Sequence, residues 1–183
     1  MESLNAVVTG VVSAVISVFA IWVLFRPRIQ FRDTILGQRY ETAPTRYKVR
    51  YKNARLLSIY GVQVRVTIVF RAMPTRTTQV PVPLSTSDLP MLKYARDKKD
   101  FQTPRMLLDQ IDWASWLPPG FDAPAHPLDL KQTLAQLQGH VVVNVTSTAA
   151  IFQVTANHQR VYDPEHVLVT HQAISQTPAS EGL

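Results

Sequence analysis

Histidines are the residues of this chain best suited to proton transfer or metal binding, and there are five: His126, His140, His158, His166 and His171. No two of them have metal-ligand spacing, and the chain contains no cysteine. His166 and His171 are five apart on a predicted strand, so their side chains should point to opposite faces. His158 is either a residue that titrates near neutral pH or an ordinary surface histidine. The sequence predicts no metal site.

Carboxylates offer two spaced pairs for general acid–base chemistry, Asp109 with Asp112 and Asp122 with Asp129. Such a pair needs a cleft, and nothing in the pattern places either pair in one. The chain also has no phosphate-cradling glycine loop and no Gly-x-Ser-x-Gly nucleophile elbow. We therefore expect a protein that is not an enzyme and that uses no cofactor.

A first basic cluster, Arg26, Arg28 and Arg32, directly follows a long apolar segment. Basic residues next to a membrane attract anionic lipid by about 1 kcal/mol each. The cluster is therefore a candidate site for anionic lipid headgroups. The alternative is that these residues only set the orientation of the preceding segment, because positive residues follow most membrane helices on the cytoplasmic side.

A second basic cluster, Arg96, Lys98 and Lys99, lies between Tyr94 and Phe101. Basic and aromatic side chains together can contact the phosphates of lipid or nucleic acid, whereas a solvated loop is the simpler interpretation. The net charge of the chain is +6. For a membrane-tethered basic domain, anionic lipid is the more direct partner, so we do not expect nucleic acid to bind.

The element that positions the first cluster is the apolar segment over residues 6–25, which contains no charged residue. About 20 apolar residues in a helix cross the ~30 Å hydrocarbon core of a bilayer. The preceding residues 1–5 contain no Lys or Arg, and the segment ends in large residues, so we expect a retained helix rather than a cleaved signal. The basic residues after the segment place the N-terminus outside and the rest in the cytoplasm, at the plasma (inner) membrane.

Small residues recur along one side of this helix, at spacings of four, three, four and three: Ala6, Gly10, Ser13, Ser17 and Ala20. A stripe of small residues lets two helix backbones approach closely within a membrane. The stripe therefore predicts helix association, although small residues are also common in membrane helices in general. We expect a homo-oligomer.

The remaining chain has the pattern of a mainly β domain. Short stretches of alternating apolar and polar residues predict strands at 29–31, 47–52, 62–70, 79–84, 141–145, 151–156 and 167–170. Pro81 and Pro83 restrict their strand to a sheet edge. Residues 127–138 predict a short helix, and residues 106–111 fit either a strand or a helix. Many short strands with proline-rich turns favour an immunoglobulin-like antiparallel β-sandwich with one or two short helices.

These patterns divide the chain into five segments. We expect a short external N-terminus, a transmembrane helix, a basic juxtamembrane segment, a cytoplasmic β-sandwich domain and a flexible tail, at residues 1–5, 6–25, 26–45, 46–172 and 173–183 respectively.

The order of these features resembles the last transmembrane helix and cytoplasmic domain of inward-rectifier potassium channels of the bacterial type. The matching features in the first half are the Arg26-Pro27-Arg28 exit from the helix, the 47–52 strand followed by Asn53 and Arg55, and the long 62–70 strand. In the second half they are Gln110-Ile111-Asp112 before Ser115, Leu117 and Pro118, the short helix before 141–145, and Arg160-Val161-Tyr162 before Glu165 and Val167.

The resemblance implies a β-sandwich that assembles around a fourfold axis, so a tetramer is the expected oligomer. It implies that anionic phospholipid acts at Arg26 to Arg28, and it favours a strand over residues 106–111. The chain departs from the family in having one predicted membrane helix and no Thr-Val-Gly-Tyr-Gly filter sequence. We therefore do not expect a potassium-selective channel from this chain alone.

The sequence favours a single-pass, non-enzymatic sensor or scaffold, in which the β-domain binds lipid, a small ligand or a protein partner. Two alternatives stay open. The helices could form a non-selective pore, with Thr9, Ser13 and Ser17 as its polar lining. Otherwise the β-domain could face outward and assist envelope assembly.

Overall fold

The computed structural model describes residues 2–39, 44–73, 76–97, 100–149 and 153–171. One long helix, α1 (Glu2–Phe25), precedes the β-strands. The strands are β1 (Ile29–Phe31), β2 (Ile35–Arg39), β3 (Arg46–Lys48), β4 (Tyr51–Asn53), β5 (Ile59–Met73), β6 (Arg76–Val82), β7 (Asp88–Leu92), β8 (Arg105–Met106), β9 (His140–Ala149), β10 (Thr155–Tyr162) and β11 (Val167–His171). Two short helices, α2 (Trp113–Trp116) and α3 (Leu130–Leu137), lie between β8 and β9.

Helix α1 forms because its sequence contains no proline and consists largely of apolar residues. Its segment Val7–Phe25 is long and apolar enough to cross a membrane, by length and composition. The helix ends before Pro27, since a proline disfavours helical geometry in the residue that precedes it. The amide of Arg26 makes the last helical hydrogen bond, to the carbonyl oxygen of Trp22 at 3.0 Å.

A five-stranded antiparallel sheet contains the order β10-β9-β5-β6, and β7 also pairs with β5. The long strand β5 lies at its centre. Every second residue of β5, from Val62 to Phe70, is buried, and the residues between them face outward. This alternation confirms the strand predicted at 62–70 and fixes which face of the sheet meets the core.

A second sheet has the order β11-β2-β3-β8, in which β11 runs parallel to β2 and the other pairs are antiparallel. Strands β1 and β4 form a separate antiparallel pair. The single strand predicted at 47–52 is therefore wrong in detail, because β3 and β4 belong to different sheets. Val49 lies between them, and its amide donates to the carbonyl oxygen of Pro104 at 3.2 Å, outside the ladder of either strand.

The core lies between the inner faces of the sheets and is closed by α3. Leu130 and Leu134 of this helix are completely buried. The carboxylate of Asp129 caps its first turn by accepting a hydrogen bond from the amide of Gln132 at 3.1 Å. At the other end Gln138 has a left-handed backbone, with φ of 48°. The helix predicted over 127–138 is confirmed.

The predictions for residues 106–111 and 151–156 also differ from the structure. Residues 106–111 are neither one strand nor one helix, because the two-residue strand β8 is followed by a 3-10 turn at Leu108–Gln110. The strand predicted at 151–156 begins instead at Thr155 and continues to Tyr162. A turn precedes it, in which Gln153 has a φ of 48°. Residues 151–152 lie outside the described part of the chain.

The segment after α1 is part of the sandwich. It contains β1 and β2, and Ile29 and Ile35 from these strands are buried in the core. The strand predicted at 29–31 is confirmed as β1. Only three residues therefore separate the end of α1 from the first strand, which holds the helix close to the β-domain.

Candidate membrane-proximal site

Two hydrogen bonds attach the residues that follow α1 to the β-domain. The imidazole Nε2 of His158, on β10, donates to the carbonyl oxygen of Pro27 at 3.0 Å. The amide of Ala54, directly after β4, donates to the carbonyl oxygen of Arg28 at 2.8 Å. The exit of α1 is thus held by two strands that are distant from each other in the sequence.

Asn53 organises the loop that reaches the end of α1. Its side chain is completely buried, and its Nδ2 donates to the carbonyl oxygens of Leu57 at 2.7 Å and Leu92 at 3.3 Å. Its Oδ1 accepts the amide of Arg55 at 3.0 Å. The guanidinium of Arg55 then donates to the carbonyl oxygen of Val23 at 3.2 Å. A cation at the C-terminal end of a helix is favourable, because the free carbonyls there carry partial negative charge.

Residues 54–58, which we call the junction loop, present two leucines beside the end of α1. Leu56 is 81% exposed and Leu57 is 41% exposed. Neither leucine belongs to the buried core. Because these leucines are apolar and lie beside the end of an apolar helix, the junction loop is suited to contact with the same apolar environment as the helix.

Arg26 and Arg28 of the first predicted cluster are both exposed at the end of α1. The guanidinium of Arg26 lies over the ring of Trp22, 5.1 Å from its centroid. Such a contact is worth about 0.5–1 kcal/mol at an exposed site. It keeps this charge beside the helix, as expected for a basic residue and an aromatic residue at a membrane interface.

Arg32, the third residue of that cluster, lies next to an aromatic residue from the second cluster. Its guanidinium is 4.6 Å from the ring centroid of Phe101, and the ammonium of Lys52 is 5.2 Å from the same centroid. Arg32 of the first cluster therefore contacts the aromatic residue that follows the second cluster in the sequence. Of the second cluster, Arg96 is exposed, whereas residues 98–99 lie outside the described residues.

Arginines also surround the turn between β1 and β2. Arg160 forms an ion pair with Asp33 at 3.1 Å, and Arg50 donates to the hydroxyl of Thr34 at 3.3 Å. The Nε atoms of Arg32, Arg50 and Arg160 are buried and have no hydrogen-bond partner among the described residues. The carboxylate of Asp33 is 85% exposed, so this surface ion pair contributes little to stability. Positive charge exceeds negative charge around this turn.

The small-residue stripe of α1 is not covered by any part of the described chain. Gly10, Ser13, Ser17 and Ala20 are all exposed, and an added Cβ at Gly10 would meet no atom within 4 Å. The side chain of Ala6 lies outside the described residues. The stripe is thus accessible to lipid or to another helix.

The candidate catalytic and metal-binding residues have structural roles where the structure shows their contacts. Asp129 caps α3, and Asp112 accepts a hydrogen bond from the hydroxyl of Ser115 at the start of α2. His166 lies in the turn before β11, not on the strand, and its Nδ1 accepts the amide of Asp163 at 3.1 Å. Asp163, Glu165 and His166 are close enough together to hold an ion. The hydrogen bond between Asp163 and His166 accounts for the closeness of these two residues without an ion.

Sequence reasoning missed Arg55 and His158 as residues of this site. His158 lies 131 positions from Pro27, its partner at the helix exit, and no local pattern reports a contact over that distance. The sequence contains only a weak indication that Arg55 is special, because the apolar–polar alternation of residues 47–52 stops just before it.

His158 gives the attachment of α1 a predicted dependence on pH. Burial lowers the pKa of His158, the hydrogen bond to Pro27 raises it, and the charge of Arg26 lowers it further, so that the net shift is downward. The unfolded chain therefore binds the proton more readily than the folded chain, and folding loses stability as pH falls through about 6.5, the usual histidine value. We expect the melting temperature to fall between pH 7.5 and pH 5.5, and to fall less in His158→Gln. An equal fall in both proteins would contradict this assignment.

The fold and this junction define a β-sandwich protein that carries a single apolar helix of membrane-crossing length at its N-terminal end, within the described residues. No protein-family model matches the chain, and no curated protein matches it.

Proposed function

We propose that this chain is a single-pass protein of the plasma (inner) membrane, with its β-sandwich in the cytoplasm as a non-enzymatic, homo-oligomeric sensor or scaffold. The observation that carries the proposal is the attachment of the exit of α1 to the sandwich through Arg55, Ala54 and His158. Because only three residues separate the helix from the first strand, a change in the conformation of the sandwich would be transmitted directly to the helix.

Charge and apolar exposure at the junction support contact with anionic lipid. Arg26, Arg28 and the junction loop lie at the end of a helix that would terminate at headgroup depth. Arginines there attract anionic headgroups, and the exposed Leu56 can insert among the acyl chains. This combination favours a β-domain in direct contact with the membrane surface over one that is only tethered to the membrane by α1.

The exposed stripe on α1 supports self-association of the helices, and the resemblance to inward-rectifier channels makes a tetramer the expected oligomer. In this proposal the sandwich would bind lipid, a small ligand or a protein and would change the packing of the helices. A potassium-selective pore is not part of the proposal, since the chain has no selectivity-filter sequence.

The test uses the three tryptophans of the protein, of which Trp22 lies beside Arg26, as donors for energy transfer to dansyl-labelled lipid. We expect the full-length protein in phosphatidylcholine vesicles to enrich dansyl-phosphatidylglycerol over dansyl-phosphatidylcholine around it. Replacing Arg26, Arg28 and Arg32 with glutamine should remove most of this enrichment, because each arginine contributes about 1 kcal/mol of attraction.

The matched control replaces three other exposed arginines with glutamine, Arg65, Arg71 and Arg76, which changes the net charge by the same amount. This control variant should keep the enrichment of the wild-type protein. Equal enrichment by the junction variant and the wild type would remove the lipid-contact proposal, and an equal loss in both variants would reduce it to a general charge effect.

A further inference from the structure

A cavity of about 670 Å³ lies between the C-terminal end of α1 and the junction loop. Its walls are mainly apolar and include Leu24 and Phe25 from the helix, Leu57 from the loop, and Ile59 and Ala149 from the five-stranded sheet. Pockets of about 300–1,000 Å³ with mostly apolar walls and a few polar groups are typical ligand sites. This cavity has that size and that lining.

Arg55 supplies the charged group in the cavity wall. One of its terminal nitrogens donates to the carbonyl oxygen of Val23, but its Nε is buried and has no hydrogen-bond partner among the described residues. A buried donor on a charged group is unfavourable when it is left unpaired. An anionic group on a ligand in this cavity would offset the positive charge of the guanidinium.

The position of the cavity limits the ligands that can reach it. It adjoins the last turn of α1, where a membrane-crossing helix leaves the hydrocarbon core. An amphiphile dissolved in the bilayer places its chain in the core and its polar end at this depth. The lining offers both kinds of contact, with apolar side chains for a chain and a cationic donor for an oxygen.

We propose that this cavity binds a long-chain carboxylate, with the aliphatic chain against Leu24, Phe25 and Leu57 and the carboxylate on the guanidinium of Arg55. The cavity has the size for one small ligand, and the positive guanidinium of Arg55 complements the negative charge of a carboxylate. A carboxylate bound there would bridge the helix and the junction loop. The proposal rests on the proposed function only in placing α1 in a membrane.

The test measures binding of 1-¹³C-palmitate to the full-length protein in phosphatidylcholine nanodiscs, with empty nanodiscs as the reference for partitioning. We expect Arg55→Gln to weaken palmitate binding about tenfold, as for the loss of one charged hydrogen bond. Leu57→Trp, which fills the cavity and keeps Arg55, should weaken it by a similar factor. The ¹³C carboxyl signal of bound palmitate should titrate at a lower pH on the wild type than on Arg55→Gln.

The matched control is Arg65→Gln, which removes an exposed arginine of β5 that does not line the cavity. It should bind palmitate within about twofold of the wild type, well below the effect of a lost charged hydrogen bond. Hexadecanol, which has the same chain without the carboxylate, should bind more weakly than palmitate.

Four results would overturn the proposal. The first is palmitate uptake equal to that of empty nanodiscs, and the second is hexadecanol binding as tightly as palmitate. The third is displacement of palmitate by phosphatidylglycerol together with a loss of palmitate binding as large in Arg26→Gln as in Arg55→Gln, and the fourth is no effect of Leu57→Trp in a protein that retains its melting temperature. The proposed function is tested by a different result, because it depends on enrichment of anionic lipid by Arg26, Arg28 and Arg32. If the protein enriches phosphatidylglycerol but does not bind palmitate, the proposed function is retained and only the palmitate proposal is wrong.

Discussion

Replacing Asn53 with leucine is expected to lower the free energy of unfolding by about 3 kcal/mol, because buried polar groups that lose their partner cost about 1–3 kcal/mol each. The Asn53 amide pairs with the carbonyl oxygens of Leu57 and Leu92 and with the amide of Arg55. Leucine has a similar volume but satisfies none of these groups. The loss falls on the junction loop, so the contact between Arg55 and Val23 should weaken as well.

The measurement is urea unfolding of the full-length protein in detergent, followed by tryptophan fluorescence, to which Trp113 and Trp116 of the β-domain contribute. The matched control is Asn157→Leu, since Asn157 is exposed on β10 and a surface substitution should change stability by no more than about 0.5 kcal/mol. If Asn53→Leu were as stable as Asn157→Leu, the amide of Asn53 would not hold the junction loop.

Replacing Gly10 and Ser17 together with isoleucine is expected to abolish the proposed self-association of α1, so that the variant is a monomer. Both residues are exposed on one side of α1, where their small size allows close approach of a second helix backbone. Two isoleucine side chains would separate the backbones and remove the van der Waals contacts that hold membrane helices together. This is the largest effect that we expect from substitutions in the helix.

The mass of the detergent-solubilised protein, measured by light scattering with correction for detergent, gives the oligomer number. The matched control is Val8→Ile with Val15→Ile, which has the same seven-residue spacing and lies on the opposite side of the helix. This control should keep the wild-type mass. A wild-type protein that is itself monomeric would remove the oligomeric mechanism, and a tetramer unaffected by the Gly10 and Ser17 changes would place the interface in the β-sandwich.

Elements with a regular period over many residues could be predicted from the sequence. The strand at 62–70 has alternating apolar residues, and in the structure these residues are buried on one face of β5. The helix predicted over 127–138 was also found, at Leu130–Leu137, because its leucines repeat on one side. In both cases the signal is local, since neighbouring residues along the chain share the burial that produces the pattern.

Short elements could not be predicted in the same way. Residues 47–52 alternate without interruption, yet the chain changes sheet at Val49. Alternation reports which side of a strand is buried and does not report which strand lies next to it. Residues 106–111 contain a two-residue strand and a 3-10 turn, each too short to have a period.

The features of the candidate site also fall into those that can be predicted from local sequence and those that cannot. Local pattern is sufficient to locate the apolar helix, the arginines that follow it and the stripe of small residues, because each depends on residues close together in the chain. Packing of the whole chain was needed to bring Arg55 to Val23 and His158 to Pro27, and to form the cavity between α1 and the junction loop. These contacts join residues 32 and 131 positions apart, and only the pairing of the sheets determines which distant residues meet at the end of the helix.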